Sequence, residues 1–245
     1  MTVLVTRPSP AGKALVQLLQ KHHISAIHTP LIQFAAGREL KLLPHTLHSL
    51  QAGDIVFAVS QTSVQFAQQA LRTHNQHWPT HLTYLAIGQA TALCLENVTR
   101  CQVFYPKDRE ISEHLLKLEQ LRSVKGKNVL ILRGNSGREL VAEALTRRGA
   151  KVTFVECYQR QYIDYSSDIL FTNWQRDNIR TIVITSAEML QRIFTLAQPT
   201  HHFWLLSRQL IVVSERIADL ARQLGWTKIK IASNADNISL LSALK

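Results

Sequence analysis

The chain states one order of elements twice, and that repetition restricts its fold more than any single motif does. Residues 3–6 form a short apolar run. Ser9-Pro10 follows, which the pattern predicts as a helix cap with proline at the first helical position, and then a stripe of Ala14, Leu15, Leu18 and Leu19. Residues 129–132 repeat the apolar run, lead into Arg133-Gly134-Asn135-Ser136-Gly137, and precede a stripe of Leu140, Val141, Ala144 and Leu145. The offset, 129 − 3, is 126 residues. It recurs along the chain: residues 55–60 meet 181–186, residues 85–88 meet 211–214, Trp78 falls on Trp204, and Leu115 and Leu118 fall on Leu241 and Leu244. Few letters match, so the repeat lies in order and spacing.

A strand that is apolar throughout is one covered on both faces. The pattern therefore predicts an α/β fold of two similar domains, each a parallel sheet flanked by helices. A length of 245 residues accommodates two such domains, and 46% apolar against 18% charged residues is the balance of an ordered globular chain. The longest apolar run, residues 55–59, has five residues, where a bilayer span needs roughly 20. The first residues also lack the basic start and long apolar stretch of a secretory signal. These features predict a cytoplasmic protein without a membrane segment. Cys94, Cys101 and Cys157 are odd in number, lack CxxC spacing and lie in or beside apolar segments, which predicts buried free thiols. The eleven histidines form no HExxH frame and lie near no cysteine cluster, so no metal site is expected.

In parallel α/β sheets ligands sit at the carboxyl ends of strands, where turns lead into helices. Six such turns carry small or hydroxylated residues: Thr6-Arg7-Pro8-Ser9, Ser60-Gln61-Thr62-Ser63, Gly88-Gln89-Ala90-Thr91, residues 133–137, Thr185-Ser186-Ala187-Glu188 and Ser214-Glu215-Arg216. Unpaired backbone N–H groups and the helix dipole favour an anion at each helix start. Helix capping explains any one of them, and Ser136 with Glu139 or Thr185 with Glu188 fits a capping box. Their number, with a net charge of +11, favours an anionic ligand held by both halves if the halves face each other. Arg7 and Arg133 hold equivalent places after a strand and would serve as carboxylate contacts or as members of structural ion pairs. Tyr158 closes the apolar run 152–157 and would be either a structural half-buried tyrosine or a site residue.

Several classes drop out. The Gly134 loop lacks the GK[ST] ending of a phosphate loop and does not complete GxGxxG. No GxSxG elbow is present. Basic residues are scattered, aromatics make up 7%, and no helix-turn-helix, zinc or RNA-binding signature occurs, so nucleic acid is not an expected partner.

Taken together these segments resemble the uroporphyrinogen-III synthase family, and its proteobacterial branch in particular. The resemblance rests on VLVTRP (3–8), FAVSQTSVQFA (57–67), AIGQATA (86–92), LRGNSGREL (132–140), RRGAKVTFVECYQR (147–160) and VITSAEML (183–190). It implies a monomer of two α/β domains joined by a two-stranded linker, the first built from about residues 1–35 and 161–245, the second from about 36–160. It implies an enzyme, a hydro-lyase that cyclises hydroxymethylbilane, a linear tetrapyrrole with eight carboxylates, with loss of water and inversion of ring D through a spiro intermediate. It implies no metal and no organic cofactor, and a transient contact with hydroxymethylbilane synthase as the one protein partner to consider. By the resemblance Tyr158 would hydrogen-bond the departing hydroxyl as a proton donor. Ser60, Thr91 and Ser186 would bind acetate or propionate groups, with backbone N–H groups around Gly88, Gly134 and Asn135. The family's second copy of the IG turn usually continues with two threonines and an alanine, whereas this chain reads Val213-Ser214-Glu215-Arg216-Ile217-Ala218, so Ser214 would have to substitute. The alternative reading of the same fold is a two-domain binder of an anionic ligand that performs no chemistry.

Overall fold

The central strands, such as residues 3–5, 55–58 and 129–132, are apolar throughout because their alternate side chains enter two different cores. The computed structural model describes residues 2–135 and 139–245. In chain order the elements are β1 (Thr2–Val5), α1 (Ala11–Lys21), β2 (Ser25–His28), β3 (Ile32–Ala36), α2 (Leu43–His48), β4 (Ile55–Ala58), α3 (Gln61–Thr73), β5 (Thr83–Ala86), α4 (Gln89–Thr99) and β6 (Val103–Phe104). They continue with α5 (Ser112–Leu115), β7 (Asn128–Gly134), α6 (Leu140–Arg147), β8 (Lys151–Tyr162), α7 (Ser167–Arg176), β9 (Ile179–Val183) and α8 (Ala187–Leu196). The last are α9 (Pro199–Leu206), β10 (Gln209–Val212), α10 (Glu215–Gln223), β11 (Ile229–Ile231) and α11 (Asn237–Leu244).

The chain divides into two compact units, Met1–Gln33 with Gln161–Lys245, and Phe34–Arg160. Unit 1 holds a parallel sheet of order β11-β10-β9-β1-β2, and unit 2 carries the order β3-β8-β7-β4-β5-β6. The strand β3 is the exception to parallel pairing. The Gly37 N–H donates to Cys157 O and the Ile163 N–H to Leu31 O, so advance along one strand is retreat along the other. β3 and β8 are the two segments in which the chain passes from one unit to the other.

The 126-residue offset separates the first residues of β1 and β7, β2 and β8, β5 and β10, β6 and β11, α3 and α8, and α4 and α10. The two sheets also match in order, with β2-β1-β9-β10-β11 answering β8-β7-β4-β5-β6. Each unit therefore takes the first strand-helix-strand piece of one copy and the last three strands of the other.

In unit 1, Leu4, Ile182 and Leu210 face a core with Phe171, Trp174, Leu190 and Ile193. Val3, Val5, Val183 and Ile211 face the opposite core with Leu15, Leu19, Leu240 and Leu241. In unit 2, Val56, Ala58, Tyr84 and Leu130 pack with Val64 and Leu71 on one side, and Ile55, Phe57, Leu85 and Ile131 with Val141 and Leu145 on the other. Truncating one such leucine to alanine costs about 2–5 kcal/mol. Two details of the stripes differ from expectation. Ala14 is exposed, and Gly12 takes a buried place on α1 in its stead, because the helix starts at Ala11 with Pro10 as its N-cap residue. Ser9 makes no capping bond there, contrary to the sequence pattern.

Candidate functional site

In both units the sheet order is that of a doubly wound fold, in which neighbouring strands send their helices to opposite faces at one point and leave a crevice beyond their carboxyl ends. In unit 1 that point lies between β1 and β9: α1 packs in the core of Val3 and Val5, and α8 in the core of Leu4. In unit 2 it lies between β7 and β4, with α6 and α3 on opposite faces. Residues just past those four strands are Thr6 and Arg7, Thr185 and Ser186, Asn135, and Ser60.

Unit 2 brings four expected residues together. Ser60 is the N-cap of α3, its Oγ accepting the Ser63 N–H at 3.1 Å, while its hydroxyl donates to Tyr158 Oη at 3.4 Å. Gly134 supports the Tyr158 ring from β7, since a β-carbon there would stand 2.7 Å from Cζ. Phe34 meets the same ring edge-on at 5.3 Å between centroids, and Phe66 stacks on it at 6.1 Å. The Asn135 N–H donates to Tyr158 O at 3.0 Å, and Asn135 Oδ1 accepts the Arg160 N–H at 3.0 Å. Tyr158 is 9% exposed and is thus a packed residue whose hydroxyl is held by the start of a helix. Beside it Cys157 is buried, and burial pushes its thiol up to about 12. Cys94 and Cys101 are only half-buried, so the expectation of buried thiols holds for one of three.

One strand further, Gly88 is the N-cap residue of α4 in an extended conformation, and Thr91 is buried in the first turn. That helix start already carries a carboxylate: Glu110 Oε1 accepts the Gln89 N–H at 2.8 Å, and a β-carbon on Gly88 would lie 2.3 Å from Glu110 Oε2. No sequence signal marks Glu110, which lies 21 residues away in a loop.

Arg133 takes the ion-pair alternative, from a position that differs from expectation. It lies inside β7 rather than after it, its guanidinium sits 4.0 Å above the Phe154 ring, and it pairs with Glu139 at 3.6 Å. Alternation along the strand puts Arg133 on the opposite face from Gly134 and the Tyr158 ring. Ser136, and with it the Ser136–Glu139 capping box, lies outside the described residues.

In unit 1, Arg7 is half-buried, donates to Asn237 Oδ1 at 2.7 Å, and has its carbonyl within 2.8 Å of His28 Nε2. Burial lowers its guanidinium from the ordinary value and Asp236 opposes the shift. Thr6 donates to Val183 O at 2.8 Å, joining the two strands of the switch point. Ser186 is the N-cap of α8, its Oγ accepting the Met189 N–H at 3.2 Å, so the cap is Ser186 and not the expected Thr185. Ser60 and Ser186 are equivalent in the repeat, as are Gly88 and Ser214. Ser214 is the N-cap residue of α10 without a side-chain bond, and neighbouring Glu215 pairs at 2.9 Å with Arg222, a guanidinium it shares with Asp219.

Among the described residues no group of three or more His, Cys, Asp or Glu is placed to hold a metal, and no helix is long and apolar enough to cross a membrane.

A family model described as uroporphyrinogen-III synthase HemD matches residues 13–242. The chain is 50% identical over 246 residues, covering all of both chains, to the uroporphyrinogen-III synthase of Escherichia coli, and equally to that of Salmonella typhimurium. It is 43% identical to the Proteus mirabilis enzyme over 195 residues, 80% of this chain and 98% of that one. Among solved structures, a mutant uroporphyrinogen III synthase of Thermus thermophilus superposes with a TM-score of 0.60 at 16% identity, covering 99% of this chain and 96% of that one. The Helicobacter pylori enzyme gives 0.56 at 15% identity, covering 100% and 99%. The fold and the full-length identity agree: the chain belongs to the uroporphyrinogen-III synthase family.

Proposed function

We propose that this chain closes hydroxymethylbilane to uroporphyrinogen III, and that its two units correspond to the family's two domains. Supporting the reading, beyond the family, is the meeting of Ser60, Gly134, Asn135 and Tyr158 at the unit 2 switch point. Ser60 receives a helix N–H and donates to Tyr158 Oη, an arrangement that leaves the phenol hydrogen to be directed at a ligand. In the reaction the hydroxymethyl carbon–oxygen bond breaks and the hydroxyl leaves as water, taking its proton from Tyr158 or from solvent. The cation left on the chain is delocalised over an electron-rich pyrrole. The substituted carbon of ring D then attacks the methylene, giving the spiro intermediate. That intermediate fragments and recloses with ring D inverted, and a proton is lost from the final pyrrole.

Expulsion of hydroxide needs little assistance, and unguided closure yields the non-inverted isomer. The protein's contribution is therefore orientation, which is worth about 7–11 kcal/mol in favourable systems. The helix starts at Ser60, Gly88, Ser186 and Ser214, with Arg7, would hold acetate and propionate groups so that ring D presents its substituted carbon first. The carboxylate of Glu110 on the Gln89 N–H shows the kind of group α4 receives. Arg133, held by Phe154 and Glu139, is not given a substrate contact. Product identity tests the reading. Hydroxymethylbilane generated in place and treated with the protein should give isomer III in excess of isomer I; isomer I alone from folded protein would leave a non-catalytic anion binder as the better account.

A further inference from the structure

We propose that unit 1 carries a second anion site, specific for a small phosphate-bearing molecule, at the amino ends of β9 and β10. Arg7 and the helix starts at Ser60, Gly88, Ser186 and Ser214 lie at carboxyl ends of strands, so the second site is at the opposite end of the unit 1 sheet. A cleft of about 570 Å3 opens there, lined by Arg180, Arg208 and Lys228 with Asn178, Ser207 and Gln209. That volume suits a mononucleotide-sized ligand. Among the described residues no carboxylate lines it. The nearest acid in sequence, Asp177, is paired with Arg176 at 3.6 Å.

Arg208 is preorganised. Its Nε donates to Trp204 O at 3.2 Å, Nη1 to Ile179 O at 3.2 Å and Nη2 to Ser207 Oγ at 2.8 Å, and its guanidinium carbon lies 5.1 Å from the Trp204 ring centroid. Those bonds leave one N–H on each terminal nitrogen for an external oxygen. Arg180 uses Nε on Asn178 Oδ1 at 3.4 Å, which leaves its terminal nitrogens for the cleft. Three cations on one wall repel one another, and a multiply charged oxyanion removes that cost while matching the guanidinium forks. The amide and hydroxyl groups of Asn178, Ser207 and Gln209 suit the remaining oxygens of a tetrahedral group.

The repeat supplies an internal comparison. Subtracting 126 from 180, 208, 209 and 228 gives Asp54, Leu82, Thr83 and Gln102 in unit 2. There the position that answers Arg180 is a carboxylate, turned to the start of β7 and held by the chain's own donors. Asp54, 5% exposed, accepts N–H groups of Gln51 and Asn128 and the Asn128 side-chain amide, each at 2.8 Å. Unit 1 thus carries Arg180, Arg208 and Lys228 where unit 2 has Asp54, Leu82 and Gln102, so the basic cluster belongs to one copy alone.

The test is calorimetric titration of the intact protein with pyrophosphate, alongside the Arg180→Gln/Lys228→Gln double variant, whose altered side chains are both exposed. Saturable binding to one site is expected, weakened at least about tenfold in the double variant, with isomer III formation unchanged. An Arg7→Gln variant is the control for binding at the catalytic turns. Absence of saturable binding would overturn the proposal. So would binding lost with Arg7→Gln but retained in the double variant, or citrate binding as tightly as pyrophosphate.

Discussion

Gly134 lies so close beneath the Tyr158 ring that a β-carbon on it would come within 2.7 Å of Cζ. The glycine is thus a packing requirement of the tyrosine. Gly134→Ala must displace the ring from its present place beside Ser60, with an overpacking cost of about 1–3 kcal/mol. Isomer III formation should fall with the altered ring position, and thermal melting should fall with it. A variant of unchanged activity would show that ring placement is immaterial.

Tyr158→Phe keeps the ring against Phe34 and Phe66 and removes only the hydroxyl that Ser60 holds at 3.4 Å. Stability should stay within about 1 kcal/mol of the parent, since the bond lost is a single long one. The rate should fall about tenfold to a hundredfold if the phenol assists departure of the hydroxyl. Stopped assays of kcat would decide, and an unaltered kcat would remove the assigned role.

Glu110 occupies the start of α4, where a substrate carboxylate is placed by the proposed function. Glu110→Ala should remove an internal competitor, lowering KM several-fold while leaving kcat alone. A KM that stays constant or rises would take α4 out of the substrate contacts.

Asp54 gives a pH signature. Burial alone would raise its carboxyl, but hydrogen bonds from Gln51 and Asn128, with Lys127 nearby, hold it below the ordinary value. A depressed folded-state pKa contributes stability that is complete above the ordinary carboxyl value of about 4 and is lost as pH falls through the folded value. Asp54→Asn should cost about 1–3 kcal/mol near neutrality, because its NH2 faces donors, and should flatten the acid limb. Urea melts near neutral pH and in acid test this; an acid limb as steep in the variant would exclude Asp54 as a source.

Local structure is legible in the sequence because strand burial and helix caps are local. The run 3–5, the serines at 60 and 186 and the 126-residue offset all carry over into the elements. The cap falls one residue after Thr185, since threonine and serine serve almost equally and only the backbone decides between them. The exchange of strand-helix-strand pieces is not readable from the repeat, because equivalent copies give no preference for which β1-type strand pairs with β4 or β9. The resemblance to a family implies such a crossing. Arg133 escapes the pattern because β7 runs beyond its apolar run and so turns that side chain to Phe154. Glu110, Asn237 and Phe34 reach their partners across long stretches of chain, and no spacing rule connects them.

The most direct measurement is the number of isomer III molecules formed per protein molecule when hydroxymethylbilane is generated in excess by its own synthase. The account predicts many turnovers, with isomer III dominating and its rate proportional to protein. Isomer I as the sole product, or isomer III in no more than stoichiometric amount, would contradict it.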